Sequence, residues 1–195
     1  MTREQIKNIK EGYYIGFDQA LSNTGWAIGY LDSSNELSIT DFGVYELKKK
    51  KKGKVYSEQE RLLLIEDKVK ELIWSYKPNM CFTESVFLEK SNPNRGKVLI
   101  KVEATIHNIL ANNAIEYEIV NSSSKTKNSW RYQLDIPRKD RGKNESVRRL
   151  KLSNLREHSA DAVAIMLTGL INQGLVDKQY ILNEYVQPES SKAAS

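Results

Sequence analysis

Cysteine is almost missing from this chain. Cys81 is the single one among 195 residues, so no disulfide framework is possible and a reducing cytoplasm suits the composition. Histidine is nearly as scarce: with one thiol and only His107 and His158 to supply imidazoles, the donors for a structural zinc site are lacking. Glycine occurs ten times and never twice in succession, which leaves little material for glycine-rich phosphate loops. No apolar run approaches the length that crosses a bilayer. The opening MTREQIKNIKEG has no apolar centre of the kind a secretory signal carries.

What remains is an ordinary globular composition, 39% hydrophobic and 28% charged, long enough to bury a core without staples. The simplest organisation is a polar leader over 1–12, one domain over 13–175 and a C-terminal tail over 176–195. The formal charge is +5, from 30 basic and 25 acidic residues. Much of the positive charge is blocked, in Lys48–Lys54 (KKKKKGK) and in Arg138–Arg149 (RKDRGKNESVRR). Either block alone reads as a solvated loop. Together with the lysines and arginines scattered around the acidic positions described below, they favour a nucleic-acid partner.

The hydrophobic pattern changes period along the chain. Tyr13–Phe17 and Gly25–Tyr30 read as two strands around a polar turn. Glu36–Leu47 alternates with one slip near Asp41, a third strand with a bulge. Ser57 and Glu60 then form a capping-box signature, and Leu62, Ile65, Val69, Leu72, Ile73 and Tyr76 follow at helical spacing until Pro78. Asn79–Glu84 is a fourth strand, which a helical crossover places parallel to the first. A second helix spans Lys97–Asn112, with Val98, Val102, Ile106 and Ile109 inward. A fifth strand alternates Ile115, Tyr117 and Ile119. SSSKTKNSWRYQL suits the start of a short helix, and Glu157–Asn172 is a helix with Ala160, Val163, Leu167 and Leu170 on one stripe. The succession β-β-β-α-β-α-β, then a final helix, predicts an α/β fold: a mixed five-stranded sheet flanked by helices, with strand 2 antiparallel. Such sheets bind ligands beyond the carboxyl ends of their parallel strands.

Acidic residues fall at those ends. Asp18 closes the first strand and Glu84 the fourth, while Asp161 opens an otherwise apolar helical segment, where a charge is costly unless paired or metal-bound. His158 lies three residues before it on the same face. Each has an ordinary alternative: Asp18 as a turn former, Glu84 as the partner of a lysine, Asp161 as a favourable charge at a helix start, His158 as a partly exposed cap. Jointly they put three acids at element ends that a mixed sheet brings together. Oxygen donors of this kind suit Mg²⁺, whereas an imidazole suits Mn²⁺ better. Glu157 rivals His158, since it shares a helical face with Asp161.

These segments carry a family likeness. GFDQALSNTGWAI resembles the first motif of the RuvC-type Holliday-junction resolvases, a branch of the ribonuclease H-like nucleases, TESVF resembles the second, and EHSADAVAIMLTG the third, in the family's order and over most of the chain. The resemblance implies a ribonuclease H-like sheet of order 3-2-1-4-5. It also implies a homodimeric endodeoxyribonuclease that nicks four-way DNA junctions symmetrically, using two divalent ions, Mg²⁺ with Mn²⁺ also supporting activity. Carried over, Asp18, Glu84, His158 and Asp161 become the catalytic metal ligands and Phe87 a stacking aromatic at the branch point. Lys125 and Lys127 fall near the family's basic loop position, and Lys90, Arg95, Lys97 and Arg131 join them as DNA contacts. Two departures stand out: Gln19-Ala20 replaces Pro-Gly in the first motif, and Val102-Glu103 replaces Arg-Gly in the second helix. A broader branched-DNA debranching nuclease is the main alternative. An actin- or hexokinase-like ATPase would need the glycine loops that are missing, and a silent junction-binding module would not need the acids.

Overall fold

The computed structural model describes residues 11–47, 56–86, 93–121, 126–136, 147 and 149–187, and of residues 93–95 the backbone alone. Within them the elements are β1 (Gly12–Asp18), β2 (Asn23–Leu31), β3 (Leu37–Glu46), α1 (Glu58–Tyr76), β4 (Met80–Glu84), α2 (Pro93–Asn112), β5 (Glu116–Val120), α3 (Trp130–Gln133), α4 (Glu157–Asn172) and α5 (Lys178–Tyr185). The strands form one sheet in the order β3-β2-β1-β4-β5. Strand β2 runs antiparallel to β1 and β3, while β4 is parallel to β1 and β5 to β4. This is the mixed sheet that the alternation of periods predicts.

Local signals explain the boundaries. The β2–β3 register moves from Ile28↔Asp41 to Gly29↔Ile39, so Thr40 is the extra residue of a bulge beside Asp41. Both halves of the capping box at α1 are made: Glu60 N–H donates to Ser57 Oγ at 3.2 Å and Ser57 N–H to Glu60 Oε2 at 2.8 Å. Lys77 ends that helix in the left-handed region at φ 46°, and Pro78 prevents its continuation. Ser129 caps the short α3 through Tyr132 N–H.

Side chains alternate across the sheet with period 2, and both faces are covered. One face gathers Ile15, Phe17, Ile28 and Cys81 with Ile65, Val69 and Leu72 of α1 and Val102, Ile106 and Ile109 of α2. The other gathers Tyr14, Ala27 and Phe82 with Trp130, Leu134 and most of α4.

Three elements differ from the sequence expectation. Helix α4 is buried all round from Ala162 to Leu170, because the sheet lies on one side and α3 packs against another; the stripe at Ala160, Val163, Leu167 and Leu170 is only part of its buried surface. In β5 the alternation holds but its apolar side faces out, with Tyr117 38% and Ile119 48% exposed. Glu118 turns inward instead, where Asn172 and Gln173 at the end of α4 donate to its carboxylate. Finally, the core extends past residue 175. Val176, Ile181 and Val186 are buried, and Tyr180 and Tyr185 of α5 reach the backbone of Leu37.

Candidate functional site

The parallel register pairs Phe17 with Thr83, so the next residues, Asp18 and Glu84, stand side by side where β1 and β4 end. Period 2 turns both toward the face that α4 covers. Asp18 also pairs with Gly25 across the β1–β2 hairpin. Gly25 is there for clearance, since a Cβ at that position would run into the carbonyl group of His158. The missing side chain lets the start of α4 descend onto the hairpin. That descent brings His158 Nδ1 to 2.6 Å from Asp18 Oδ2.

Asp161, one turn further along α4, lies close enough for its charge to act on both Glu84 and His158. Thus the structure gathers Asp18, Glu84, His158 and Asp161 at one edge, with the Asp18–His158 pair in direct contact. Glu157 is exposed in the first turn of α4, and its charge is the weakest of those that act on His158. Among the described residues no three His, Cys, Asp or Glu side chains are drawn together into a metal cage.

The electrostatics follow from this crowding. Burial, then the neighbouring Asp18 charge, pushes the Glu84 carboxyl up to about 7, while the hydrogen bond from Trp130 and the charge of Arg131 act the other way. His158 is raised above the usual imidazole value, chiefly by its hydrogen bond to Asp18, with burial opposing. Neighbouring carboxylates that repel one another on an apolar floor fit a divalent cation. The oxygen donors Asp18, Glu84 and Asp161 have the hard chemistry that Mg²⁺ or Mn²⁺ accepts.

Two further residues hold the site and were not evident from the sequence. Gln19, 5% exposed, uses its amide to grip the peptide of Glu84: its Oε1 accepts from Glu84 N–H at 3.0 Å and its Nε2 donates to the Glu84 carbonyl. The glutamine that departs from the resolvase-like Pro-Gly is therefore a fastening between the ends of β1 and β4. Trp130, fully buried, donates its indole N–H to Glu84 Oε1 at 2.9 Å. The available signal was weak: a polar residue directly after Asp18, and a tryptophan in an otherwise polar segment.

Of the predicted DNA contacts, Lys97 and Lys127 are exposed. Arg131 is half-buried with its guanidinium 3.9 Å from the Trp130 ring centroid, which links it to Glu84 through one side chain. Phe87, Lys90 and Lys125, the side chain of Arg95, and the Lys48–Lys54 run lie outside the described residues. Val102 and Glu103, the second departure, lie on α2, where Val102 packs fully buried against the sheet.

The fold and the acidic edge together define a ribonuclease H-like α/β protein. Comparison with known proteins narrows the class. No family model matches the chain. The crossover junction endodeoxyribonuclease RuvC of Wolbachia pipientis subsp. Culex pipiens (strain wPip) is 34% identical over 85 residues, 44% of this chain and 48% of that protein. The RuvC of Wolbachia pipientis wMel is 32% identical over 99 residues, 47% of this chain and 57% of that protein. The chain thus spans about half the length of the curated relatives it matches.

Among solved structures, Thermus thermophilus RuvC in complex with Holliday junction substrate superposes with a TM-score of 0.63 at 14% identity, covering 84% of this chain and 97% of that one. The yeast mitochondrial Holliday junction resolvase Ydc2 does so with a TM-score of 0.55 at 12% identity, over 93% and 87%. At such identities the likeness is one of fold. The chain is thus similar in sequence to RuvC proteins over about half of their length, and in fold to RuvC-type resolvases.

Proposed function

We propose that the chain is a structure-selective endodeoxyribonuclease that resolves four-way DNA junctions by divalent-metal-dependent hydrolysis, acting as a homodimer that places paired nicks. The domain that does this spans residues 13–175, supported by the helix beyond it, and works in the cytoplasm. One observation carries the reading: Asp18, Glu84, His158 and Asp161 converge at the carboxyl ends of two parallel strands within a RuvC-like fold. Asp18, Glu84 and Asp161 would hold the metal through carboxylate oxygens, with His158 as the nitrogen donor or proton carrier.

Two divalent ions bound there, Mg²⁺ or Mn²⁺, would supply positive charge for the attacking and leaving oxygens of phosphodiester hydrolysis. The protein's own groups do the rest. Trp130 and Gln19 fix the Glu84 carboxylate and its peptide. His158 holds a proton at Nδ1 against Asp18 and can pass it on near neutral pH. Lys97, Lys127 and Arg131, with Lys90, Arg95 and Lys125, neutralise phosphates flanking the cut. Phe87, three residues after Glu84, offers a face for an unpaired base at the branch point.

The test is a cleavage panel of four-way, three-way, flap and linear DNA in Mg²⁺ and in Mn²⁺, with Asp18→Asn alongside. The expected result is symmetric nicking of the four-way junction in either metal, abolished by Asp18→Asn with junction binding retained. Equal cutting of every branched substrate would mark a general debranching nuclease, and undiminished cutting by Asp18→Asn would sink the site assignment.

A further inference from the structure

Arg149 is the last residue of the basic block Arg138–Arg149, and it sits inside the protein rather than on a solvated loop. Its side chain is 9% exposed, and among the described residues the carboxylate that faces it, Asp135, lies 3.7 Å from Nη2, beyond hydrogen-bond distance, and is itself 84% exposed. Its Nε is buried with no hydrogen-bond partner among the described residues. A guanidinium offers five donors in a planar fork. Burying one against a single loose, well-solvated partner is costly unless something else completes it.

The surroundings are suited to that completion. Arg149 lines a cavity of about 390 Å³ with Asp135, Lys151, Gln179, Asn183 and Gln187. Two of its walls are fixed to each other through the backbone: Leu150 bridges Val186, Lys151 N–H donates to the Tyr185 carbonyl at 2.8 Å, and Gln187 N–H donates to the Arg149 carbonyl at 2.7 Å. Lys151 is held in place as its ammonium donates to the Asn183 carbonyl. Among the described residues the lining thus holds two cationic and three amide-bearing residues against one carboxylate, and none of Asp18, Glu84, His158 or Asp161 belongs to it.

We propose that this cavity is an anion site that takes a phosphate group, with the fork of Arg149 and the ammonium of Lys151 as its donors and Asp135 as a competing anion. A guanidinium fork matches two phosphate oxygens at once, and an ammonium adds a point charge. The phosphate comes either from a nucleic-acid backbone or from a free phosphate compound. The site does not depend on the nuclease reading, since its chemistry lies apart from the acidic edge.

The experiment titrates inorganic phosphate into the full, metal-free chain by calorimetry, at an ionic strength held constant with chloride. Saturable binding is expected. Lys151→Ala weakens it about tenfold, the worth of a lost charge-assisted contact. Asp135→Asn, a change at an exposed side chain, tightens it about two- to fivefold by removing the competing charge. The opposite signs separate a ligand site from a merely structural arginine. No saturable phosphate binding, or an Asp135→Asn variant that binds no more tightly, overturns the proposal. A second arm measures four-way and duplex DNA binding in EDTA across salt. A slope of log K against log salt reduced by about 0.9 in Lys151→Ala identifies a backbone phosphate, whereas an unchanged slope with lost phosphate binding assigns the cavity to a free phosphate compound. If the chain cuts no junction, the phosphate titration still stands by itself.

Discussion

Glu84 meets two other carboxylates on an apolar floor, and its ionisation is correspondingly reluctant, near pH 7 against an ordinary 4.5. Because the folded value lies above the unfolded one, the metal-free folded state binds the extra proton between those limits. Stability therefore falls as pH rises through that window, by an amount on the order of 3 kcal/mol. His158 has the same sign, since its raised folded value gives stability that is full below about 6.5 and lost as pH climbs through the folded value. The metal-free Tm should drop between pH 5 and pH 8. Glu84→Gln should flatten that drop and stand above the parent at pH 8, and added Mg²⁺ should reverse it for the parent alone. Thermal melts across pH check this; a Glu84→Gln profile as steep as the parent's would refute the placement of the strain. Gln19→Ala removes both amide contacts to the Glu84 peptide, worth about 0.5–1.5 kcal/mol each. It is expected to lower Tm and to raise the Mn²⁺ concentration needed for half-saturation, while leaving junction affinity in EDTA unchanged. At this scale the sequence revealed the charged groups, because acids at strand ends and helix starts are visible by position. It hid Gln19 and Trp130, whose roles exist only through pairings across 65 and 46 residues.

Among the elements, the decisive packing is that of α4 against the β1–β2 hairpin. Gly25→Ala sets a methyl group against the His158 carbonyl, and an overpacked contact of this kind costs about 1–3 kcal/mol. The start of α4 must lift, so His158 leaves Asp18. The expected outcome is a lower Tm together with a loss of cleavage far beyond what the residual folded fraction explains. Cleavage rates measured well below the Tm, where both proteins are folded, check it, and an unchanged rate there would show that the clearance at Gly25 serves packing alone. Elements were legible where local chemistry dictated them: the Ser57–Glu60 box, the Pro78 stop, the slip near Asp41. They were less legible where tertiary surroundings decide which face is inside. The alternation of Tyr117 and Ile119 marks a strand without saying which side is inside, and at the edge position of β5 it is Glu118 that meets the amides at the end of α4. Helix α5 is hard to read because its eight residues carry a short, weakly patterned apolar set, and Tyr180 and Tyr185 find their partner at the remote Leu37 backbone.

For the whole molecule, symmetry links shape to chemistry. One chain carries one acidic edge, so the proposed paired nicking of a four-way junction would require two copies related by a two-fold axis. Sedimentation should give a particle of twice 22.4 kDa, and mixing the parent with excess Asp18→Asn should yield junctions nicked on one strand only. A monomer that still cuts both strands together would exclude that arrangement. Short hairpins and helical crossovers leave few ways to connect five strands, and the order observed, β3-β2-β1-β4-β5, is the one that the resemblance implies.

The contact between Asp18 and His158 joins positions 140 residues apart, which has a consequence for how the chain is made. As the polypeptide leaves the ribosome, β1 and its aspartate emerge early, whereas α4 appears only after most of the chain has been synthesised. Loop closure over such a separation comes late. A prematurely terminated product lacking α4 has the first aspartate but neither His158 nor Asp161, so under the proposed function an incomplete copy lacks half of the acidic edge.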